Sequence, residues 1–105
     1  MDGSSFLNAE LSAAVAAECF AALSTPARVE LLAILLDAGA EGLTVGELRR
    51  RTAIRPSTLS HHLKTLREAG LMSQERRSTQ RICRISDRRL HELVQFLSDG
   101  GLGMA

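Results

Sequence analysis

Apolar positions along this chain fall at helical spacing in five stretches and alternate in one pair of short runs. Leu7, Leu11, Val15 and Cys19 recur every four residues, with Ala13, Ala14, Ala16 and Ala17 around them. A helix is expected from about Ala9 to Leu23, with Asn8 as its cap. Glu10 and Glu18 are its only charges, so it needs burial on more than one side, and in a chain this short a second subunit is the expected cover. Thr25-Pro26 opens a second helix that runs to Ala38 and closes at Gly39. Val29, Leu32, Ala33 and Leu36 are its expected core face, widened by Leu31, Ile34 and Leu35. Ala40-Glu41-Gly42 reads as a loop, and Thr44 with Glu47 makes a capping box. The short third helix, Val45 to Arg51, turns Val45 and Leu48 inward and leaves Arg49, Arg50 and Arg51 outside.

The stretch from Arg55 to Gly70 reads as a fourth helix with a clean start and stop. Pro56 suits the first helical position and Gly70 the left-handed position past the end. Leu59, Leu63 and Leu66 form one apolar stripe, while Ser57, Thr58, Ser60, His61 and Lys64 stay polar. That polar face fits an ordinary surface helix, and it also fits a helix that brings short donors and acceptors to base edges in a major groove. The tight connection Thr52-Ala53-Ile54-Arg55 joins two short helices into a helix-turn-helix, which favours the second reading. Leu71 to Arg76 and Arg81 to Ile85 read as a β-hairpin turned by Arg77-Ser78-Thr79-Gln80. Ser86 or Asp87 caps a last helix to about Leu97, with Leu90, Leu93, Val94 and Leu97 on its core face. The fold class is therefore mostly α with a small β-hairpin, a winged helix-turn-helix with five helices and the hairpin between the fourth and fifth. Residues 1–105 form a single domain with a core of about 8–97 and a Gly-rich flexible tail at 98–105.

Charge sharpens this picture. The net charge is +1, but the window from Arg49 to Arg89 holds 12 basic and three acidic residues, an excess of nine positive charges. The remaining residues hold one base and nine acids, which leaves −8. An acidic scaffold joined to a strongly basic face is suited to a polyanion. With 3% aromatic residues and neither Trp nor Tyr, stacking on bases is not the binding mode. No apolar run reaches membrane-span length and no secretory signal opens the sequence, so no membrane partner is expected and the cytoplasm is the expected compartment. Cys19 and Cys83 have neither disulfide nor zinc spacing.

The order of elements resembles the ArsR/SmtB family of winged-helix repressors. Ala22-Leu23-Ser24-Thr25-Pro26-Ala27-Arg28, then Pro56-Ser57-Thr58-Leu59-Ser60-His61-His62-Leu63-Lys64, then Leu66-Arg67-Glu68-Ala69-Gly70-Leu71 carry the resemblance, which covers residues 18–97. It implies a homodimer built on the first and last helices that binds an imperfect palindrome in double-stranded operator DNA until an inducer releases it. Ser57, Thr58, Ser60, His61 and Lys64 are the expected base- and phosphate-contacting residues of the fourth helix, with Arg55 at its start and Arg76, Arg77 and Arg81 on the hairpin. Leu11, Val15, Cys19, Leu93 and Leu97 are the expected dimer contacts, and His62 is read as a structural, partly buried histidine.

The metal sites of that family are not visible here. Where its metalloid sensors have Cys-Val-Cys, this chain has Thr44-Val45-Gly46; where its zinc sensors begin Asp-x-His, it has Asp87-Arg88-Arg89, with no histidine after His91. Neither a metal nor a cofactor is expected, and no inducer is identified. Cys83, with Arg81 and Arg84 nearby, is the candidate for thiol or arsenical sensing, against the alternative that both cysteines simply pack. A protein-interaction module is the other alternative, disfavoured by the charge of the basic window. An enzyme is not expected, since there is no phosphate loop, carboxylate pair or nucleophile–base set.

Overall fold

The computed structural model describes residues 11–100. Five α-helices, α1 (Ala13–Ala22), α2 (Pro26–Ala38), α3 (Val45–Thr52), α4 (Pro56–Glu68) and α5 (Asp87–Gln95), surround a small antiparallel sheet of β1 (Leu43–Thr44), β2 (Met72–Arg77) and β3 (Gln80–Ile85). The helix starts follow the predicted caps. Thr25 Oγ1 accepts from the Arg28 amide at 3.3 Å, and Ser86 Oγ accepts from the Arg89 amide at 3.2 Å. At α3 the capping box is complete: Thr44 Oγ1 accepts from the Glu47 amide at 3.1 Å, and the Glu47 carboxylate accepts from the Thr44 amide at 2.8 Å. These bonds to Thr44 hold the Glu47 carboxyl below its ordinary pKa. For α1 the expected cap, Asn8, lies outside the described residues; the helix begins at Ala13, with Ser12 Oγ accepting from the Val15 amide.

The sheet has three strands where two were expected. Its order is β1-β3-β2, with Leu43 opposite Cys83 and Thr44 opposite Ile82. A two-residue strand is too short to show alternation, which is why Gly42-Leu43-Thr44 reads as loop. Its one signature is Gly42, at φ +70°, where any Cβ would run into the Cys83 carbonyl oxygen and the Arg84 side chain. The hairpin itself lies within a residue of expectation, and Ser78, at φ 59°, takes the left-handed place that glycine would otherwise fill.

The core is built from Leu31, Leu35, Leu48, Leu59, Leu63, Leu66 and Leu71, with Cys19 and Cys83 fully buried among them. On α2 the buried pair is Leu31 and Leu35, whereas Val29 and Leu36, assigned to the core face from sequence, are exposed. Apolar residues surround this helix on every side, so spacing alone cannot choose a face; packing against β3 and α4 does. On α5, Leu93 is buried and Leu90 half-buried, while Val94 and Leu97 face outward instead of into the core. Phe96–Gly100 extends α5 as a wider helical turn, so the segment predicted as tail is helical as far as Gly100. Among the described residues no single helix is long and apolar enough to cross a membrane.

Candidate nucleic-acid interface

Helix α4 is held from behind and free in front. Leu59, Leu63 and Leu66 are buried, and Arg55, Ser57, Thr58, Ser60, His61 and Lys64 are all exposed. Ser57, Ser60, His61 and Lys64 are spaced at three, four and seven residues from the first, so they share one side of the helix. The end of the helix is fixed as well. The Gly70 amide donates to the Arg67 carbonyl at 2.9 Å and the Leu71 amide to the Leu66 carbonyl at 3.0 Å, with Gly70 at φ +77°. This pair of bonds is a Schellman closure, and it sets where β2 departs.

The turn from α3 into α4 is equally constrained. Ala53 caps α3 in the left-handed conformation at φ 57°, and its amide donates to the Arg49 carbonyl. The Thr52 hydroxyl donates to the Leu48 carbonyl at 2.7 Å and accepts from the Ile54 amide at 3.3 Å. His62, adjacent to the exposed His61, turns inward as read from sequence. Its Nδ1 lies 3.0 Å from Nη1 of Arg28, and burial, followed by the Arg28 charge, lowers its pKa. The two histidine rings are tilted by 49° with centroids 6.0 Å apart. Arg28 also donates from Nε to the Ala22 carbonyl at 2.6 Å, so one guanidinium joins the end of α1 to the recognition helix. The sequence marks Arg28 only through the motif that carries the resemblance.

The three hairpin arginines expected to meet DNA, Arg76, Arg77 and Arg81, divide between the faces of the sheet. Arg76 lies directly opposite Arg81, Gln74 opposite Cys83 and Met72 opposite Ile85, which places all six on one face. Arg77 belongs to the other face, with Glu75 and Arg84. Glu75 accepts from Arg84 Nη1 at 2.6 Å and lies 3.4 Å from Arg77 Nη2, contacts that hold its carboxyl below the ordinary range. Arg84 continues to the Ala40 carbonyl at 2.8 Å. Arg77 is therefore partly neutralised, whereas Arg76 and Arg81 have no carboxylate partner within 4.0 Å among the described residues. Arg49 and Arg50 of α3, absent from the predicted site, line the same cleft as Arg76 and Arg81. In sequence they are part of a charge run, and only the packing of the hairpin shows which way they face.

Cys83 does not occupy the surface position expected of a sensor. It sits on the inner face of the central strand, fully buried, with the Gln74 amide donating to its sulfur at 3.5 Å. Burial pushes its thiol pKa up, so the flanking arginines do not produce a thiolate. Cys19 is likewise covered by the chain's own atoms, its thiol donating to the Ala69 carbonyl at 3.4 Å, and Leu93 is buried in the same core. Both side chains pack within their own chain. Leu11 and Val15 are half-buried, and Leu97 is exposed. Among the described residues no group of three His, Cys, Asp or Glu side chains is placed to hold a metal.

A helix-turn-helix domain family matches residues 23–75. The HTH-type transcriptional regulator YgaV of Escherichia coli is 30% identical over 86% of this chain and 89% of its own length. The biofilm growth-associated repressor of Agrobacterium fabrum is 37% identical over 71% of this chain and 62% of its own. Among solved structures, an ArsR-like transcriptional regulator from Rhodococcus sp. RHA1 superposes with a TM-score of 0.73 at 26% identity, covering 85% of this chain and 81% of that one. The homodimeric winged helix-turn-helix DNA-binding domain of a Mycobacterium bovis protein gives 0.65 at 27% identity, covering 84% and 82%.

Proposed function

The chain belongs to the ArsR family of helix-turn-helix transcriptional regulators, and from that premise we propose that it is a homodimeric repressor that works in the cytoplasm on double-stranded operator DNA. The observation that carries this reading is the front of α4: six polar or basic side chains from Arg55 to Lys64 are exposed, over three fully packed leucines. The helix enters the major groove by its N-terminal half. Small residues there let the backbone approach, and Ser57, Thr58, Ser60 and His61 supply donors and acceptors for base edges. Lys64, Arg76, Arg77 and Arg81 act on phosphates and fix register rather than sequence. A dimer presents two such helices to a two-fold operator, and its occupancy excludes polymerase. The homodimeric Mycobacterium bovis domain and the repressor of Agrobacterium fabrum support these two parts of the reading.

Thiol control through Cys83 is not favoured, because the sulfur becomes accessible only if the wing opens. The test of the main reading is selection of bound duplexes from a random pool, with and without diamide. A two-fold symmetric site is expected, with the same enrichment in both arms. Ser57→Ala, Ser60→Ala or His61→Ala should change which sequences are enriched, whereas Arg76→Ala should weaken all of them about equally. A pool with no enriched sequence, or base preference that follows the wing and not α4, overturns the assignment.

A further inference from the structure

Arg28 is the one Lys or Arg outside the segment from Arg49 to Arg89, and it stands in the acidic part of the chain. A guanidinium in such company is expected to take a carboxylate. Instead, none lies within 4.0 Å of it among the described residues. Its Nε donates to the Ala22 carbonyl at 2.6 Å, and its Nη1 lies 3.0 Å from Nδ1 of His62. Ala22 ends α1, Arg28 lies in the first turn of α2, and His62 is in the middle of α4. Three helices therefore meet on one half-buried side chain, at the corner where residues 13–22 and 26–41 bend by 97°.

His62 lies on the edge of the buried stripe of α4, three residues after Leu59 and four before Leu66, and about 100° around the helix from His61. The leucines press α4 onto the core, but apolar burial is non-directional and fixes the rotation of a helix only loosely. A hydrogen bond is directional, and a guanidinium already anchored on a second helix gives it a fixed origin. Any turn of α4 about its axis moves Ser57, Ser60 and His61 together, because they share the side offered to the groove.

The contact needs a neutral ring. Nδ1 accepts from Arg28 only in the tautomer with its proton on Nε2, and in imidazolium both nitrogens are donors, so the pair becomes two facing cations. Nothing around His62 offsets that. Arg28 faces it from α2 and His61 from its own helix. The acids of α2, Glu30 and Asp37, are exposed, and the acid of β2, Glu75, is bound to Arg84 and Arg77. Glu18 of α1 and Glu68 of α4 line a separate groove with Thr65 and Ala69, and no carboxylate lies within 4.0 Å of the His62 ring among the described residues. Burial and the Arg28 charge both disfavour the protonated ring.

We propose that Arg28 is a positioning residue for operator binding: through neutral His62 it sets the rotation of α4 toward DNA, and protonation of His62 releases that setting and weakens binding. This rests on the DNA-binding reading above and adds to it a pair that acts from behind the reading face. Acid therefore loosens the operator through His62, against the tightening that protonation of His61 beside phosphates would bring.

The experiment measures affinity for a fluorescein-labelled duplex from the selection above between about pH 8 and pH 5.5 at fixed ionic strength, for wild type, His62→Asn and Arg28→Gln, each checked for folding at every pH by circular dichroism. Below the folded pKa of His62, wild type should lose about tenfold in affinity per pH unit for each subunit that sheds a proton to bind. In His62→Asn the amide oxygen accepts from Arg28 at any pH, so the acid decline should be absent. Arg28→Gln should bind about tenfold more weakly at the alkaline end, with a shallower decline because the second cation is gone. His61 titrates in all three proteins, so the differences between their profiles belong to the Arg28–His62 pair. The wild-type ring supplies a measurement that needs no variant: imidazole nitrogen shifts followed with and without duplex should show the His62 pKa lowered in the complex and the His61 pKa raised by phosphate. A His62 pKa that does not fall on binding, or folded variants whose pH profiles parallel wild type, overturns the role of Arg28 and leaves the DNA-binding reading intact. A wild type that binds no duplex at any of these pH values overturns both.

Discussion

Arg28 and His62 show how much a single contact can fix. The guanidinium holds the last turn of α1 at the Ala22 carbonyl and meets the His62 ring, which sits one position from the exposed His61. Only a neutral imidazole has a lone pair at Nδ1 to accept from Arg28; protonation turns the contact into two facing cations. His62 accordingly has a pKa below its ordinary value of 6.5, first through burial and then through Arg28. In the unfolded chain the same ring titrates near 6.5. Between the folded and unfolded values the unfolded state binds more protons, so the stability contributed by neutral His62 is full above about 6.5 and is lost as pH falls through the folded value. Glu47 and Glu75, both held below 4.5, lose their contributions only further down. Thermal unfolding followed from pH 7 to pH 5 should show Tm falling in wild type and falling less in His62→Gln. An identical decline in both would remove His62 as its source.

At the scale of elements, the sequence was most legible where a backbone end needs a particular side chain. Thr25, Thr44, Ser86, Pro56 and Gly70 mark ends of α2 through α5 because unpaired amides and carbonyls there demand caps, and the structure uses each of them. It was least legible where burial depends on what packs alongside. The face of α2 is chosen by β3 and α4, the outward turn of Val94 by the shape of the core, and β1 by its partner strand. For the candidate interface, the exposed face of α4 could be read directly from the leucine stripe. The division of Arg76 and Arg81 from Arg77 needed the hairpin register, and the burial of Cys83 needed the third strand beside it. The connection between α3 and α4 carries its own test. Ala53 is held at φ 57°, ψ 18°, where a Cβ costs about 1 kcal/mol relative to glycine. Ala53→Gly should therefore raise the unfolding free energy by no more than about 0.6 kcal/mol, because roughly 0.4–1 kcal/mol of added freedom in the unfolded chain is set against the relieved strain. Chemical denaturation measures this directly, and a destabilised Ala53→Gly would mean that the turn is shaped by contacts of the Ala53 methyl instead.

Across the whole molecule, charge and apolar exposure are segregated. The segment from Arg49 to Arg89 carries the excess of nine positive charges, while exposed apolar side chains are concentrated on the helices, with Phe20 and Leu36 on α1 and α2 and Val94 and Leu97 at the other end of the chain. Of these, Leu36 on α2 lies outside the pairing of first and last helices that the proposed dimer needs. Leu97 and the half-buried Leu11 and Val15 belong to the pairing of first and last helices expected from the family resemblance, and Val94, 60% exposed, stands one helical turn or less from Leu97. Val94→Asp should therefore give a monomer in sedimentation, whereas Leu36→Asp, at a site 47% exposed on α2, should remain a dimer. Dimerisation doubles the number of basic faces on one duplex, so the monomer should also bind DNA with about half the wild-type slope of log affinity against log salt. The reverse pattern, with Leu36→Asp monomeric and Val94→Asp dimeric, would move the two-fold axis to α2 and change the spacing between the two recognition helices.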